Sequence, residues 1–202
     1  MSKRVSKKDM ILKESMQSFA KNGYVMTNLE DIAKRCGITK PAIYYHFKDK
    51  YALYEAVLCP MFEALVNKLL TIEDLEPIDA IKKYIEIFGQ FIIENKHFSS
   101  ILARELADGM QSIPQNCLKF SAKFIGVLSS AISKGVKSGK FKEQNPFLIQ
   151  LMIVSTLINH QTTKDLRKRV LYECKKEIKY ADATIEDLIP QLQDKIIKGL
   201  IS

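Results

Sequence analysis

The sequence lacks most of the short signatures that mark an enzyme or a secreted protein. It contains no GxSxG elbow, HExxH, Walker loop or GxGxxG, and no paired carboxylates with a convincing partner. The common hydrolytic, metallopeptidase, nucleotide and dinucleotide chemistries therefore have no carrier, and no enzyme is expected. Four cysteines, Cys36, Cys59, Cys117 and Cys174, lie far apart and form no CxxC, so neither a zinc site nor a dithiol motif suggests itself. His97 and His160 have no third ligand at useful spacing, so no metal or cofactor is expected. The N-terminus "MSKRVSKKDM" is charged with no apolar run behind it, unlike a signal peptide. The expected location is the cytoplasm.

Long apolar runs are also missing. Residues 144–163 carry no formal charge, but their apolar heart, "FLIQLMIVSTLI", has 12 residues, roughly 18 Å of helix. A bilayer core needs about 30 Å, and Asn145, Pro146, Asn159, His160 and Gln161 flank the run. A helix buried in a core or a subunit interface is expected there, and no membrane partner. No stretch alternates apolar and polar residues as a strand would, and there is no repeat or low-complexity tract.

What is present describes an ordinary globular chain of 202 residues, 47% apolar and 27% charged. The net charge of +8 is unevenly placed. Residues 1–50 hold 11 Lys and Arg against 5 Asp and Glu, while the other 152 residues hold 20 against 18. A basic module on a near-neutral body points first to nucleic acid and second to an anionic membrane surface.

Apolar spacing is helical nearly throughout, so the chain reads as all-α. Ile11, Leu12, Met16, Phe19 and Ala20 mark a first helix, stopped by Asn22-Gly23. Asn28 can cap a second, with Leu29, Ile32, Ala33 and Cys36 inward, and Gly37 ends it where a positive φ is cheap. Thr39 caps a third, with Pro41 in its first turn. Two short helices around a glycine turn are a helix-turn-helix signal, with small Ala33 at the close approach, Ile38 in the turn and Ile43 inward. Asp49 caps a longer helix containing Pro60, which removes a backbone bond to residue 56 and is a candidate bend. Further helices are expected near 77–95, 98–108, 114–138, 145–170 and 184–200.

The stretch "GITKPAIYYHFKDK" turns Lys40, Tyr44, Tyr45, His46 and Lys48 outward. Tyrosine hydroxyls can reach phosphate oxygens while their rings pack on sugars, and lysine serves phosphate or a guanine edge. Thr27, Asn28 and Thr39 sit at expected helix N-termini, which favour phosphate, and Lys50 begins the next helix similarly.

These residues resemble the N-terminal domain of TetR-family transcriptional repressors. The segment "GYVMTNLEDIAKRCGITKPAIYYHFKDKYALYEAV", residues 23–57, is similar at Gly23-Tyr24, Thr27, "DIA" at 31–33, Gly37, Tyr44, "HF" at 46–47 and Lys50. Residues 5–22 fit the family's first helix, and "KGVKSGKF" at 134–141 looks like the end of a later one. The resemblance implies about nine helices, with a DNA-binding domain over 1–49 and a dimerisation and effector domain over 50–202. It implies phosphate contacts from Thr27, Thr39, Tyr44, Tyr45, His46 and Lys50, and base-edge contacts from Lys40 and Pro41. Many members have glycine where this chain has Pro41, which adds a ring and holds the backbone farther off.

The partners that the resemblance implies are a double-stranded operator with an inverted repeat, a second copy of the chain, and a small-molecule effector. The uncharged 147–158 and the C-terminal stripe of Ile185, Leu188, Ile189, Leu192, Ile196 and Leu200 are both candidates for the dimer seam: a four-helix arrangement across a two-fold axis would bury both, or one of them is merely core. Tyr84, Phe88, Phe91, Phe120, Phe124, Met152 and Thr156 could line an apolar effector cavity or simply be core. His97, Arg104, Glu105, Asn116, Asn159 and His160 could orient a ligand, or act as caps or surface groups. Two rivals remain within DNA binding: an architectural binder without sequence choice, and a TetR-like activator.

Overall fold

The computed structural model describes residues 6–174, 178 and 183–201. Among them are ten α-helices and no strand: α1 Lys7–Met26, α2 Leu29–Arg35, α3 Lys40–His46, α4 Lys50–Leu70, α5 Pro77–Glu94, α6 Lys96–Ala107, α7 Gln115–Lys137, α8 Pro146–Thr162, α9 Lys164–Cys174 and α10 Ile185–Ile201.

Local chemistry sets the first four. Ser6 accepts the Asp9 amide and starts α1. Gly23, at φ +75°, kinks the helix, and α1 resumes to Met26 beyond the expected stop. The Asn28 side chain accepts the Glu30 amide at 2.9 Å and caps α2. Gly37 adopts φ +63°, and the amides of Gly37 and Ile38 return to the carbonyls of Lys34 and Ala33. That double closure uses up the last carbonyls of α2 and turns the chain sharply into α3. Pro41 lies in the first turn of α3, and Asp49 caps α4 by accepting the Ala52 amide at 2.7 Å.

One continuous apolar core joins both ends of the chain. Ile11, Phe19, Ile32, Ile43, Leu53 and Tyr54 are fully buried under α2 and α3, and the same cluster runs through Ile81, Phe88, Leu128 and Ile153 to Leu200. Helix α4 serves both parts. Leu53 and Tyr54 face the N-terminal helices, whereas Leu65, Val66 and Leu69 are buried deep in the C-terminal body. The helix is unbroken through the exposed Pro60.

Two expectations about the body change. The segment 145–170 is two helices, broken at Thr163 (φ −102°, ψ 16°). The hydroxyls of Thr162 and Thr163 turn back to the carbonyls of Ile158 and Asn159. Such back-bonding competes with helix continuation, and an apolar pattern does not record it. The two candidate seams also part company. In α10 the stripe of Ile185, Ile189, Leu192, Ile196 and Leu200 is buried inside the chain, with Leu188 packed at its edge. In α8, Phe147 (70% exposed), Leu148, Leu151 (59%) and Met152 face outward. No helix among the described residues is long and apolar enough to cross a membrane.

Candidate nucleic-acid interface

Buried Ile43, with Phe47 at the C-terminal cap, fixes which way α3 faces. With Ile43 turned inward, Lys40, Pro41, Tyr44 and Tyr45 share the outer side by helical spacing. Tyr45 is 86% exposed, and Tyr44 is about half exposed. The half-buried His46 ring meets Tyr45 edge-on at 5.1 Å. Thr39 caps α3 by position only, since its side chain makes no capping bond. Its exposed hydroxyl is therefore not spent on the helix.

The cations are less open than the sequence implies. Lys40 Nζ sits 2.9 Å from Glu30 Oε1, in a pair formed between the starts of α2 and α3. Hydrogen bonding to Lys40 lowers the Glu30 pKa, and the same bond raises that of Lys40. Lys50 Nζ donates to the Val25 carbonyl at 2.9 Å and lies 4.7 Å from the centre of the Tyr24 ring. Burial lowers its pKa. Lys50 thus ties the start of α4 to the end of α1 while keeping a charge at the edge of the same surface.

Thr27 differs from the rest of the expected set. It is buried, its hydroxyl donates to the Gly23 carbonyl at 2.7 Å, and its amide goes to Tyr24. It caps the end of α1 rather than starting α2, and both of its protons serve the kink. Asn28 is exposed, but its side-chain oxygen is used in the α2 cap. The structure therefore gathers Asn28, Thr39, Lys40, Pro41, Tyr44, Tyr45, His46 and Lys50 around α2, α3 and the start of α4, with Thr27 beneath them.

Sequence reasoning missed Glu30 as the partner of Lys40. The signal was an acidic residue in the first turn of α2, ordinarily read as helix-dipole complement. It also missed how the basic unit is anchored. Arg104 of α6 donates to the carbonyls of Ala20 at 3.1 Å and Lys21 at 2.6 Å, just before the kink at Gly23. The buried Glu105 accepts the Tyr54 hydroxyl at 2.5 Å. Tyr54 in turn meets Phe19 and Tyr24 at ring separations of 4.6 and 4.9 Å. Burial, and then Glu105, hold the Tyr54 hydroxyl well above its ordinary pKa of 10.0.

The expected effector residues mostly form packed core. Tyr84 stacks on Phe124 at 5.1 Å, its hydroxyl reaches the Phe124 carbonyl, and Phe88 lies 5.4 Å from Phe124. Phe91 is buried against Phe98, Phe120 is partly buried, Thr156 is half-buried on α8, and Met152 is on its exposed face. A cavity of about 390 Å³ lies elsewhere, where α6 begins, α8 ends and α10 begins. Its walls include Ile93, Lys96, His160, Lys164, Arg167 and Ile185. The His160 ring is held by the Ala183 carbonyl at 2.8 Å and by Arg167, and burial lowers its pKa. His97 is exposed at the start of α6.

Residues 11–57 match the family described as "Bacterial regulatory proteins, tetR family". The chain is 31% identical over 149 residues to the HTH-type transcriptional regulator RutR of Escherichia coli K12, covering 73% of this chain and 70% of RutR. It is 29% identical over 127 residues to IcaR of Staphylococcus aureus strain Newman, a negative transcriptional regulator of the biofilm operon icaADBC, covering 56% and 68% of the two. A crystal structure of a tetR-family regulatory protein from Rhodococcus RHA1 superposes with a TM-score of 0.76 at 15% identity, covering 98% of each chain. The fold, the helix-turn-helix segment and the matched relatives agree: this chain belongs to the TetR family of DNA-binding transcriptional regulators.

Proposed function

We propose that the protein is a repressor that binds an inverted-repeat operator as a homodimer and is released by a small molecule held in its C-terminal body. The reader is residues 1–49 and the regulatory body residues 50–202. The observation that carries this is the outer side of α3, where Pro41, Tyr44 and Tyr45 are exposed beside the Glu30-paired Lys40 on a helix locked by Ile43. Lys40 and Pro41 reach base edges, Lys40 exchanging Glu30 for a base acceptor and Pro41 offering its ring to a thymine methyl. Thr39, Tyr44, Tyr45, His46 and Lys50 touch phosphate, which fixes register. Asn28 holds the start of α2 beside them, and Thr27 supports that turn from below.

Dimerisation uses the uncharged α8 face of Phe147, Leu148, Leu151 and Met152. An exposed apolar row of this kind is costly in water and suits a second copy of itself across a two-fold axis. Two readers so joined address successive major grooves about 34–36 Å apart. The IcaR relative, named as a negative regulator, supports the repressor sign.

The effector works by favouring a body conformation in which the readers no longer match that spacing. Two places could receive it. Tyr84, Phe88, Phe91, Phe120 and Phe124, with Thr156 nearby, would have to part to admit an apolar ligand. The cavity beside Lys96, Lys164 and Arg167 is already open, and its basic walls suit a ligand with an anionic group. Arg104 and Glu105 on α6 carry the change to α1 and α4, and Pro60 gives α4 a place to bend. Titrating a duplex that carries the inverted repeat tests the stoichiometry. Two chains per duplex are expected, and saturation at one chain would end the dimer reading.

A further inference from the structure

Helix α4 presents Tyr51, Glu55 and Cys59 on successive turns, four residues apart and hence on one face. The start of α7 meets all three. The Gln115 amide donates to the Tyr51 hydroxyl oxygen at 3.0 Å, and the Asn116 side chain donates to Glu55 Oε1 at 2.7 Å. Cys117, the next residue, meets Cys59. Both thiols are free, and they face each other across the contact that the Gln115–Tyr51 and Asn116–Glu55 bonds hold in register. Cys59 is partly exposed and Cys117 is fully buried. The other two cysteines lie apart from this contact: Cys36 is buried with its thiol directed at the Met10 carbonyl, and Cys174 is exposed at the end of α9.

We propose that Cys59 and Cys117 are a peroxide-sensitive pair whose reversible disulfide pins α4, and with it the DNA reader, to the regulatory body. The exposed sulfur reacts first. The Cys59 thiolate attacks one peroxide oxygen, the O–O bond breaks, and a sulfenic acid forms while hydroxide takes up the thiol's proton as water. Cys117 then attacks the sulfenyl sulfur, the S–O bond breaks, and a second water leaves. Two thiols are oxidised and one peroxide is reduced to two waters. Burial shields Cys117 from the oxidant and makes it the resolving partner. The bond would lie one residue before Pro60, on the helix whose first turns hold Tyr54 against Phe19. It would fix a helix that packs in both reader and body near the point where the two parts join.

The test uses the purified full chain, reduced and then treated with hydrogen peroxide. Free thiols are blocked, peptides are mapped by mass spectrometry, and melting and binding to a duplex enriched from a random pool are followed. The expected product is a Cys59–Cys117 peptide that dithiothreitol removes. The bond closes a loop of about 60 residues and should raise the melting temperature by roughly 5–10 °C. Affinity for the enriched duplex should change at least about fivefold on oxidation. Cys59→Ser, at the partly exposed position, should bind the duplex normally when reduced and lose both responses, whereas Cys174→Ser should keep them. If both thiols stay open to alkylation at peroxide levels that oxidise Cys174, or if Cys59 pairs with another cysteine, the proposal fails. A Cys59–Cys117 bond that leaves duplex affinity unchanged overturns its regulatory half. The peptide map needs no DNA, so its failure stays separate from any failure of the DNA-binding reading.

Discussion

Two helices of this protein present faces to solvent in opposite chemical terms. Helix α3 exposes Lys40, Pro41, Tyr44 and Tyr45, a mixture of charge, hydroxyl and ring. Helix α8 exposes Phe147, Leu148, Leu151 and Met152, within a stretch that has no charge at all. The first face is at ease in water and keeps its cations occupied when no partner is present: Lys40 rests on Glu30, and Lys50 on the Val25 carbonyl. The second has no polar substitute for a partner and stays exposed at a cost in hydration. A surface that must be entered and left repeatedly is built like the first, and one meant to stay covered is built like the second.

The largest expected effect is on the α8 side. Leu151→Arg places a charge in the middle of the apolar row and should weaken self-association by about 100-fold or more. Sedimentation would show a monomer of unchanged helix content, with operator affinity falling in step. A dimer that survives would move the seam elsewhere and remove the contrast between the faces.

Next is the join between reader and body. Tyr54→Phe leaves Glu105 buried without its donor and should cost about 1–3 kcal/mol of stability in denaturant unfolding. The pH dependence has a fixed sign. Because the Tyr54 hydroxyl is held above 10.0 in the folded protein, the unfolded chain ionises first. The stabilisation from this group is therefore complete below pH 10 and is lost as pH rises beyond it. The phenylalanine variant should lose less stability in that alkaline window, and identical alkaline curves would contradict the buried pair.

Smaller effects separate the cations of the reading face. Lys40→Ala should cost about tenfold in discrimination between the preferred duplex and its single-base variants. Lys50→Ala should weaken all duplexes alike and lower the slope of log affinity against log salt by about 1. Equal behaviour of the two variants would erase the division into reader and clamp. Smallest is Glu30→Gln, which frees Lys40 and removes a negative charge beside the expected phosphates. Affinity should rise about threefold at low salt and return to the parent value at high salt.

Much of the reading unit was legible because its signals are local. Asn28, Gly37, Thr39, Pro41 and Asp49 each declare a cap, a turn or a first helical position within a few residues of where they act. The outward set on α3 followed once Ile43 was taken as buried. Part of what could not be read depends on contacts between different helices. The Lys40–Glu30 pair requires knowing that the starts of α2 and α3 meet. The Arg104 bonds to Ala20 and Lys21, and the Glu105 bond to Tyr54, require the docking of α6 on α1 and α4. Thr27 looked like a helix start and is instead the cap of a kinked helix end, because Gly23 bends α1 without ending it. The apolar stripes on α8 and α10 read alike. Only packing decides that the α10 stripe is covered by this chain and that the Phe147, Leu148, Leu151 and Met152 face of α8 is not.

The most direct test of the central claim is selection of bound duplexes from a random DNA pool by the purified protein at near-physiological salt. Enrichment of one inverted repeat, with half-sites about one helical turn apart or a multiple of it, is the predicted result. Binding that falls with salt but enriches no sequence would contradict the account, leaving α3 a helix that grips DNA without reading it.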